Sequence, residues 1–222
     1  ELSHQEKNTS EYLKSKLEFQ GFEINEIKKG HGFFVELQGQ SKKVFALRAD
    51  MDALPIQETG AAEYASKVPG VMHACGHDAH CAMLFGAASV LAEFKNEMPL
   101  SGRFIFQPAE EKVPSGARVM IEEGVLENPA VEAAFAQHVT PELATGKVGF
   151  HAGPFMASAD EIYITVKGRG GHASKQSELV DPILIASHLI IELRSLLKGQ
   201  EPVPSLLSFG DIRGLGATNI IP

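Results

Sequence analysis

The chain has 222 residues, enough for one large domain or one and a half ordinary ones, and its 44% hydrophobic and 22% charged residues are the composition of a globular protein with a real core. Its 28 acids against 20 bases leave a net charge of −8, and without a basic patch nucleic acid is excluded as a partner, because phosphate binding needs clustered Lys and Arg. No stretch approaches the roughly 18 uninterrupted apolar residues of a membrane span. The two cysteines, Cys75 and Cys81, are too close in sequence and too few for a disulfide framework, so a reducing, cytoplasmic setting is expected. The first residue is Glu1 rather than Met, so the native start is expected to lie upstream.

In chain order, residues 3–20 read as an amphipathic helix, with Tyr12, Leu13, Leu17 and Phe19 at helical spacing and Gly21 as its terminator. Residues 22–27 and 32–37 alternate apolar and polar side chains as strands do. Residues 44–47 form a short apolar run, as in a strand covered on both faces. A helix is expected over 78–94, a strand over 103–106, a helix over 115–123 and a strand over 133–137. This alternation predicts an α/β domain with a mostly parallel sheet flanked by helices. Chemistry in such sheets gathers past the C-terminal strand ends, where Asp50, Glu110 and His138 fall. From about residue 158 the pattern changes: a strand over 161–167, a glycine-rich hinge (Gly168, Gly170, Gly171), an amphipathic helix over 180–197 and a strand over 205–213 suggest a smaller α/β sandwich. The expected domains are 1–157 and 158–222.

The residues that carry chemistry are concentrated. His73-Ala-Cys-Gly-His-Asp-Ala-His80 offers three imidazoles, a thiol and a carboxylate where a loop enters a helix. Thiolate and imidazole together suit a borderline-soft divalent ion such as zinc, nickel, cobalt or manganese; the plainer reading is a free core cysteine beside solvated histidines. Glu110 and Glu111 follow a buried strand and Pro108, so adjacent carboxylates in a non-helical turn can divide the work, one binding metal and one acting as a general base. His138, straight after an apolar strand, serves either as a ligand or in structure. Gly168 to Ser174 is either an ordinary hinge or a segment from which His172 donates to a developing oxyanion.

Taken together, several segments resemble the amidohydrolase family that includes hippurate hydrolase, N-acyl-amino-acid deacylases and auxin-conjugate (IAA-amino acid) hydrolases, within the aminoacylase and carboxypeptidase G-like metallopeptidase clan. They are Glu1-Leu-Ser, Arg48-Ala-Asp-Met-Asp-Ala-Leu-Pro55, Met72 to His80, Phe106-Gln-Pro-Ala-Glu-Glu111, Gln137-His138, Gly168 to Ser174, Asp181-Pro182 and Asn219 to Pro222. The resemblance implies a two-domain protein: a metallopeptidase-type catalytic domain and a smaller lid or dimerisation domain through which a homodimer forms. It implies two divalent metal ions held by Cys75, His77, Glu111 and His138, with Glu110 as the base that takes a proton from water bridging the ions. Asp50 or Asp52 would orient an imidazole, with Asp78 and His80 in similar support. His172 and Asn219 would contact the substrate, an N-acylated amino acid.

Two departures stand out. The family follows its GGHAS-like segment with a Pro-His pair, where Gln176 and Ser177 stand here. It also places a last histidine ligand in a C-terminal segment that this chain lacks, so the chain is expected to be a fragment with both domains incomplete. The alternatives are a peptidase of the same clan, whose His-x-Asp metal motif is replaced here by Asp50 and Asp52, and a non-catalytic metal-binding or dimerisation fragment. A closed structural zinc module would want more cysteines.

Overall fold

The computed structural model describes residues 1–196 and 205–222. The chain divides into two compact units, Glu1–Gly149 and Phe150–Pro222.

In the first unit a five-stranded sheet carries helices on both faces. Helix α1 (Lys7–Phe19) leads into the two-residue strand β1 (Asn25–Glu26) and then β2 (Phe33–Leu37) and β3 (Val44–Asp50). Helix α2 (His77–Glu93), strand β4 (Ser101–Gln107), helix α3 (Gly116–Glu122) and strand β5 (Val131–Ala136) follow. The strand order is β1-β2-β4-β3-β5. Strands β4, β3 and β5 run parallel, while β2 joins β4 antiparallel and β1 joins β2 antiparallel. The sheet is therefore mixed, with its parallel part in β4-β3-β5.

Every residue of β4 is buried, because side chains alternate across a sheet whose two faces are both covered. Phe104 and Phe106 join Leu13 and Leu17 of α1 and Leu84 and Ala88 of α2 in one core cluster. Ile105 faces the other way, into a cluster with Ala46, Met120 and Val125. Phe33 stacks on Phe106 with ring centroids 4.7 Å apart and planes 9° apart. Fully burying side chains of this size contributes roughly 1.5–3 kcal/mol each, so β4 is the axis on which the unit is built. Arg103, 1% exposed on this strand, is matched by its cross-strand neighbour Glu36 at 2.6 Å and donates to the carbonyls of Val125 and Glu127. Its charge is thus paired, as a buried guanidinium requires.

The second unit is sparser. Strand β6 (Gly171–His172) pairs antiparallel with β7 (Ile220–Ile221), and helix α4 (Pro182–Leu196) lies between them in sequence. Asp181 accepts the backbone N–H groups of Ile183 and Leu184, an N-cap that starts α4 at Pro182. The expected start at 180 is corrected accordingly; Leu197 lies outside the described residues. The expected strands over 161–167 and 205–213 do not form. Alternation alone makes no strand: neither segment has a ladder partner among the described residues, and Ile162, Tyr163, Ile164 and Leu206 are exposed. The α1 helix also begins at Lys7 rather than residue 3, because residues 1–6 form a non-helical strap: Leu2 bridges to Ala53, and a turn closed by the Gln5 N–H on the Leu2 carbonyl, with His4 at φ 67°, precedes the helix.

Candidate metal centre

Because β3, β4 and β5 are parallel, their C-terminal ends share one edge of the sheet, and the candidate residues sit there. Asp50 ends β3, with Asp52 two residues beyond; Glu110 and Glu111 follow β4; His138 follows β5. Gly76, in left-handed conformation (φ 80°), turns the chain into α2, so that His77 opens the helix beside these strand ends.

His77 is 1% exposed. Its Nδ1 lies 2.8 Å from the Asp52 carbonyl oxygen and 3.3 Å from Asp52 Oδ1, so Nδ1 carries the proton. Nε2 then presents a lone pair, and it is buried without a hydrogen-bond partner. It faces Asp50 Oδ2 at 3.7 Å, Glu111 Oε1 at 3.8 Å and Glu110 Oε2 at 4.0 Å. A buried lone pair among three carboxylates is unfavourable unless a cation stands between them. Burial alone would push the His77 imidazole down, but the Asp52 hydrogen bond and the Asp50 and Asp52 charges outweigh it, and its pKa is raised. A proton held there takes the place of a cation.

Two groups of ligand atoms, each within 4.8 Å of one another, share His77: Cys75–His77–His138 and His77–Glu110–Glu111. Cys75 Sγ lies 3.2 Å from His138 Nε2, and His138 Nδ1 donates to the Val139 carbonyl, which leaves Nε2 as the free nitrogen. Burial, a hydrogen bond to Glu111 and the charges of Glu111, Glu110 and Asp50 push the Cys75 thiol up to about 11. Only a cation in the cluster would make it a thiolate at neutral pH. The unpartnered His77 nitrogen and the suppressed thiol together fit a divalent ion bound by soft and borderline donors.

A third group, Asp50–His77–His80, is also close enough, but His80 is already used. Its Nδ1 lies 2.7 Å from Asp50 Oδ1, and its Nε2 accepts the Val139 N–H at 3.0 Å. Both ring nitrogens are spent, so His80 is a brace between β3 and the segment that holds His138. Asp50 is also bound by Arg48 Nη1 at 2.6 Å; burial pushes its carboxyl up, and Arg48, His80 and His77 together pull it below the ordinary value.

Asp52 is the hub of the site. Its Oδ2 accepts from Ser3 Oγ at 2.7 Å and from the Glu111 N–H at 3.0 Å. Burial pushes its carboxyl up, but the bonds from His77, Ser3 and the backbone of Glu111 and Glu110 hold it well below the carboxylate range. The Glu110–Glu111 turn is fixed just before it as well. Ala109 has φ 47°, a left-handed conformation that costs a non-glycine residue roughly 1–2 kcal/mol, and its carbonyl accepts the Gly116 N–H at 2.9 Å. Glu110 is 42% exposed and Glu111 24%. Burial, then the Glu111 charge, raises the Glu110 carboxyl above the ordinary glutamate value, with His77 acting against them.

Of the dense sequence patch, Cys75, His77 and His80 thus meet at the strand ends, whereas His73, against the Asp52 backbone, keeps its Nδ1 unpartnered, and Asp78 points outward, accepting the Ala79 N–H. His172 and Asn219 lie in the second unit and are joined to each other, Asn219 Nδ2 to His172 Nε2 at 3.2 Å. His172 Nδ1 meets Ser174 Oγ at 2.8 Å and accepts the Ser174 N–H at 3.2 Å. Sequence reasoning missed Ser3 and Glu6. Ser3 lies within the matched Glu1-Leu-Ser segment, a signal that carried no role; Glu6 carried no signal.

Imidazole, thiol and carboxylate groups converging past the parallel strand ends of an α/β sheet form a candidate metal-binding site. The model of Peptidase family M20/M25/M40 matches residues 46–208, and the chain belongs to that family. It is 40% identical over 225 residues to the N-acetyl-L-cysteine deacetylase of Bacillus subtilis (strain 168), covering 100% of this chain and 53% of the relative. It is 41% identical over 234 residues to the IAA-amino acid hydrolase ILR1-like 4 of Arabidopsis thaliana, covering 100% of this chain and 50% of the relative. The crystal structure of the Bacillus subtilis YXEP protein, a dinuclear metal binding peptidase from the M20 family, superposes with a TM-score of 0.69 at 37% identity, over 88% of this chain and 52% of that one. The chain spans about half the length of the curated relatives it matches.

Proposed function

We propose that this chain forms the metal-binding part of an amidohydrolase that cleaves the amide bond of N-acylated amino acids. The observation that carries this reading is the buried, unpartnered Nε2 of His77, facing Glu110 and Glu111, with His77 common to all three ligand groups. Cys75, His77, Glu111 and His138 would hold two divalent ions of zinc, manganese, nickel or cobalt. Bound there, the ions would supply Lewis acidity that polarises the amide carbonyl and acidifies water.

The protein's own groups then do the rest. Glu110, half exposed and with a raised pKa, takes a proton from water on an Oε atom and returns it to the leaving amine, the two duties of a tuned general base and acid. Asp52 holds the His77 ring with Nδ1 protonated, so that Nε2 faces the ligand groups. His172 would donate a hydrogen bond to the oxyanion as charge develops, with Asn219 beside it on the substrate. The names of the relatives, which include a deacetylase and an amino acid conjugate hydrolase, support N-acyl amino acids as the substrate class. A homodimer through the smaller domain is supported by the exposed apolar side chains Ile183, Leu184, Ile185 and Ile191 of α4. A cytoplasmic setting is supported by two free thiols, Cys75 and Cys81.

The test is metal content together with hydrolysis of a panel of N-acyl amino acids, for the protein and its Glu110→Gln variant. The expected result is bound metal in both and turnover in the first alone. Metal without turnover in either would replace the reading with a non-catalytic metal-binding role; turnover of dipeptides but not N-acyl amino acids would replace it with a peptidase.

A further inference from the structure

Glu6 is 0% exposed, although it is a carboxylate at the foot of a surface helix. Its Oε1 accepts the backbone N–H of Ala109 at 2.7 Å, across 103 residues of sequence. Its Oε2 is buried without a hydrogen-bond partner. Solvated helix-capping glutamates do not sit this way: a carboxylate is expensive to bury for one bond, and Glu6 makes no side-chain cap to its own helix. The residue it holds is the left-handed Ala109 (φ 47°), itself 0% exposed, whose two successors are Glu110 and Glu111.

The Ala109 peptide groups are thus held from both sides, the N–H by Glu6 and the carbonyl by the Gly116 N–H at 2.9 Å. A residue in a sparsely populated conformation persists only where its surroundings over-determine it. The same N-terminal strap reaches the site at a second point, since Ser3 Oγ donates to Asp52 Oδ2 at 2.7 Å and Ala53 N–H donates to the Glu1 carbonyl at 2.8 Å. Residues 1–6 therefore brace both the segment after β3 and the turn after β4.

Resting on the hydrolase reading above, we propose that Glu6 is a positioning residue for Glu110 and Glu111: its buried carboxylate clamps the Ala109 N–H and so sets the direction in which the following two carboxylates leave the turn. Glu6 touches neither metal nor substrate; it acts through Ala109. The surface-facing carboxylates of α1, such as Glu11 and Glu18, share none of these features.

The experiment compares the full chain with Glu6→Leu, which removes the acceptor, and Glu6→Gln, which keeps one. In Glu6→Leu, kcat falls at least about tenfold with KM within about twofold, since a small misplacement of a reacting group costs rate rather than binding; Glu6→Gln restores it. The Co(II)-loaded protein shows a shifted thiolate-to-metal absorption band in Glu6→Leu at unchanged metal content. Independently of metal and substrate, amide exchange at Ala109 is slow in the unsubstituted chain, accelerates at least about a hundredfold in Glu6→Leu, and its proton resonance moves upfield in Glu6→Gln, where the acceptor is weaker. An Ala109 amide that exchanges as fast as an exposed loop in the unsubstituted chain, or whose resonance ignores Glu6→Gln, overturns the proposal even if Glu6→Leu fails to fold. Unchanged kcat in a folded, metal-replete Glu6→Leu overturns it as well. The exchange arm needs no turnover, so loss of the hydrolase reading would leave the clamp itself still decided.

Discussion

Asp52 accepts the backbone N–H of Glu111 on its carboxylate at 3.0 Å while its own carbonyl oxygen lies 2.8 Å from His77 Nδ1. One residue thereby orients the main chain of one candidate ligand, from the turn after β4, and the ring of another, at the start of α2. Partners of this kind that orient metal ligands typically change metal affinity by about 10–100-fold when removed. Asp52→Ala is expected to weaken divalent metal binding by that factor, read by competition with a chromophoric chelator. Unchanged affinity would mean that the carbonyl alone holds the ring.

The same carboxylate sets an acid limit. Asp52 is pushed up by burial, yet the bonds from His77, Ser3 and Glu111 hold it well below the usual range. A depressed carboxylate contributes stability that is fully present above its unfolded value of about 3.9 and is lost as pH falls towards the folded value. The metal-free protein should therefore lose stability as pH drops below about 4, and Asp52→Asn should flatten that part of the curve. Denaturant midpoints measured at stepped pH check this; parallel curves for the two proteins would contradict it.

Metal binding should release protons. Cys75 is pushed up to about 11, first by burial and then by Glu111, Glu110 and Asp50, so it is a thiol in the metal-free protein at neutral pH. A metal takes it as a thiolate. The raised His77 must also give up any proton on Nε2. Because both groups hold protons more tightly than usual, apparent affinity rises with pH through the neutral range. Calorimetry in buffers of different ionisation enthalpy should show about one proton released per Cys75 engaged, and fewer in Cys75→Ala. Equal release in the two proteins would remove Cys75 from the ligand set.

How much of this was legible in the sequence differs by residue. The strand at β4 follows from the run 103–106 and the helix at α2 from its small-residue face (Ala79, Ala82, Gly86, Ala87, Ala88), Cys75 and His77 stand out by residue type where a loop enters that helix, and Glu110, Glu111 and His138 by residue type and by position past strand ends. Helical spacing also accounts for the division within the patch: His77 and His80, three apart, share the inner face of α2, while Asp78 turns outward. What could not be read is any role settled by a distant partner. Glu6 looks like one more charge on an amphipathic helix until Ala109 is found beside it. His80 looks as good a ligand as His77 until the Val139 N–H occupies its second nitrogen. The alternating segments 161–167 and 205–213 fail for the same reason, since a strand exists only through its neighbours.

Glu110 is the group whose loss should separate chemistry from binding. Burial, then Glu111, raises its carboxyl, so in the metal-free protein it should titrate above the ordinary glutamate value of about 4.3, visible as the side-chain carbon resonance in a pH series. In the loaded protein, Glu110→Gln should lower kcat by about 10²–10⁴-fold, the usual worth of a positioned base, with metal stoichiometry unchanged because Glu111, the more buried of the two and the one hydrogen-bonded to Cys75, remains as the carboxylate ligand. Loss of metal along with turnover would make Glu110 a ligand and move the base elsewhere.

His80 offers the sharpest contrast between bracing and binding. It is 2% exposed and fully hydrogen-bonded, with Asp50 on Nδ1 and the Val139 N–H on Nε2. His80→Ala strands a buried Asp50 oxygen and a backbone N–H together, a loss of about 2–5 kcal/mol, whereas removing a true ligand from a metal-free protein costs little or improves stability by relieving repulsion. The metal-free His80→Ala variant should therefore unfold at markedly lower urea concentration, while metal-free Cys75→Ala should not. Because Val139 adjoins His138, whose Nδ1 donates to the Val139 carbonyl, His80→Ala should also weaken metal binding indirectly. A His80→Ala protein of unchanged stability that has lost its metal would reverse the assignment and make His80 a ligand in its own right.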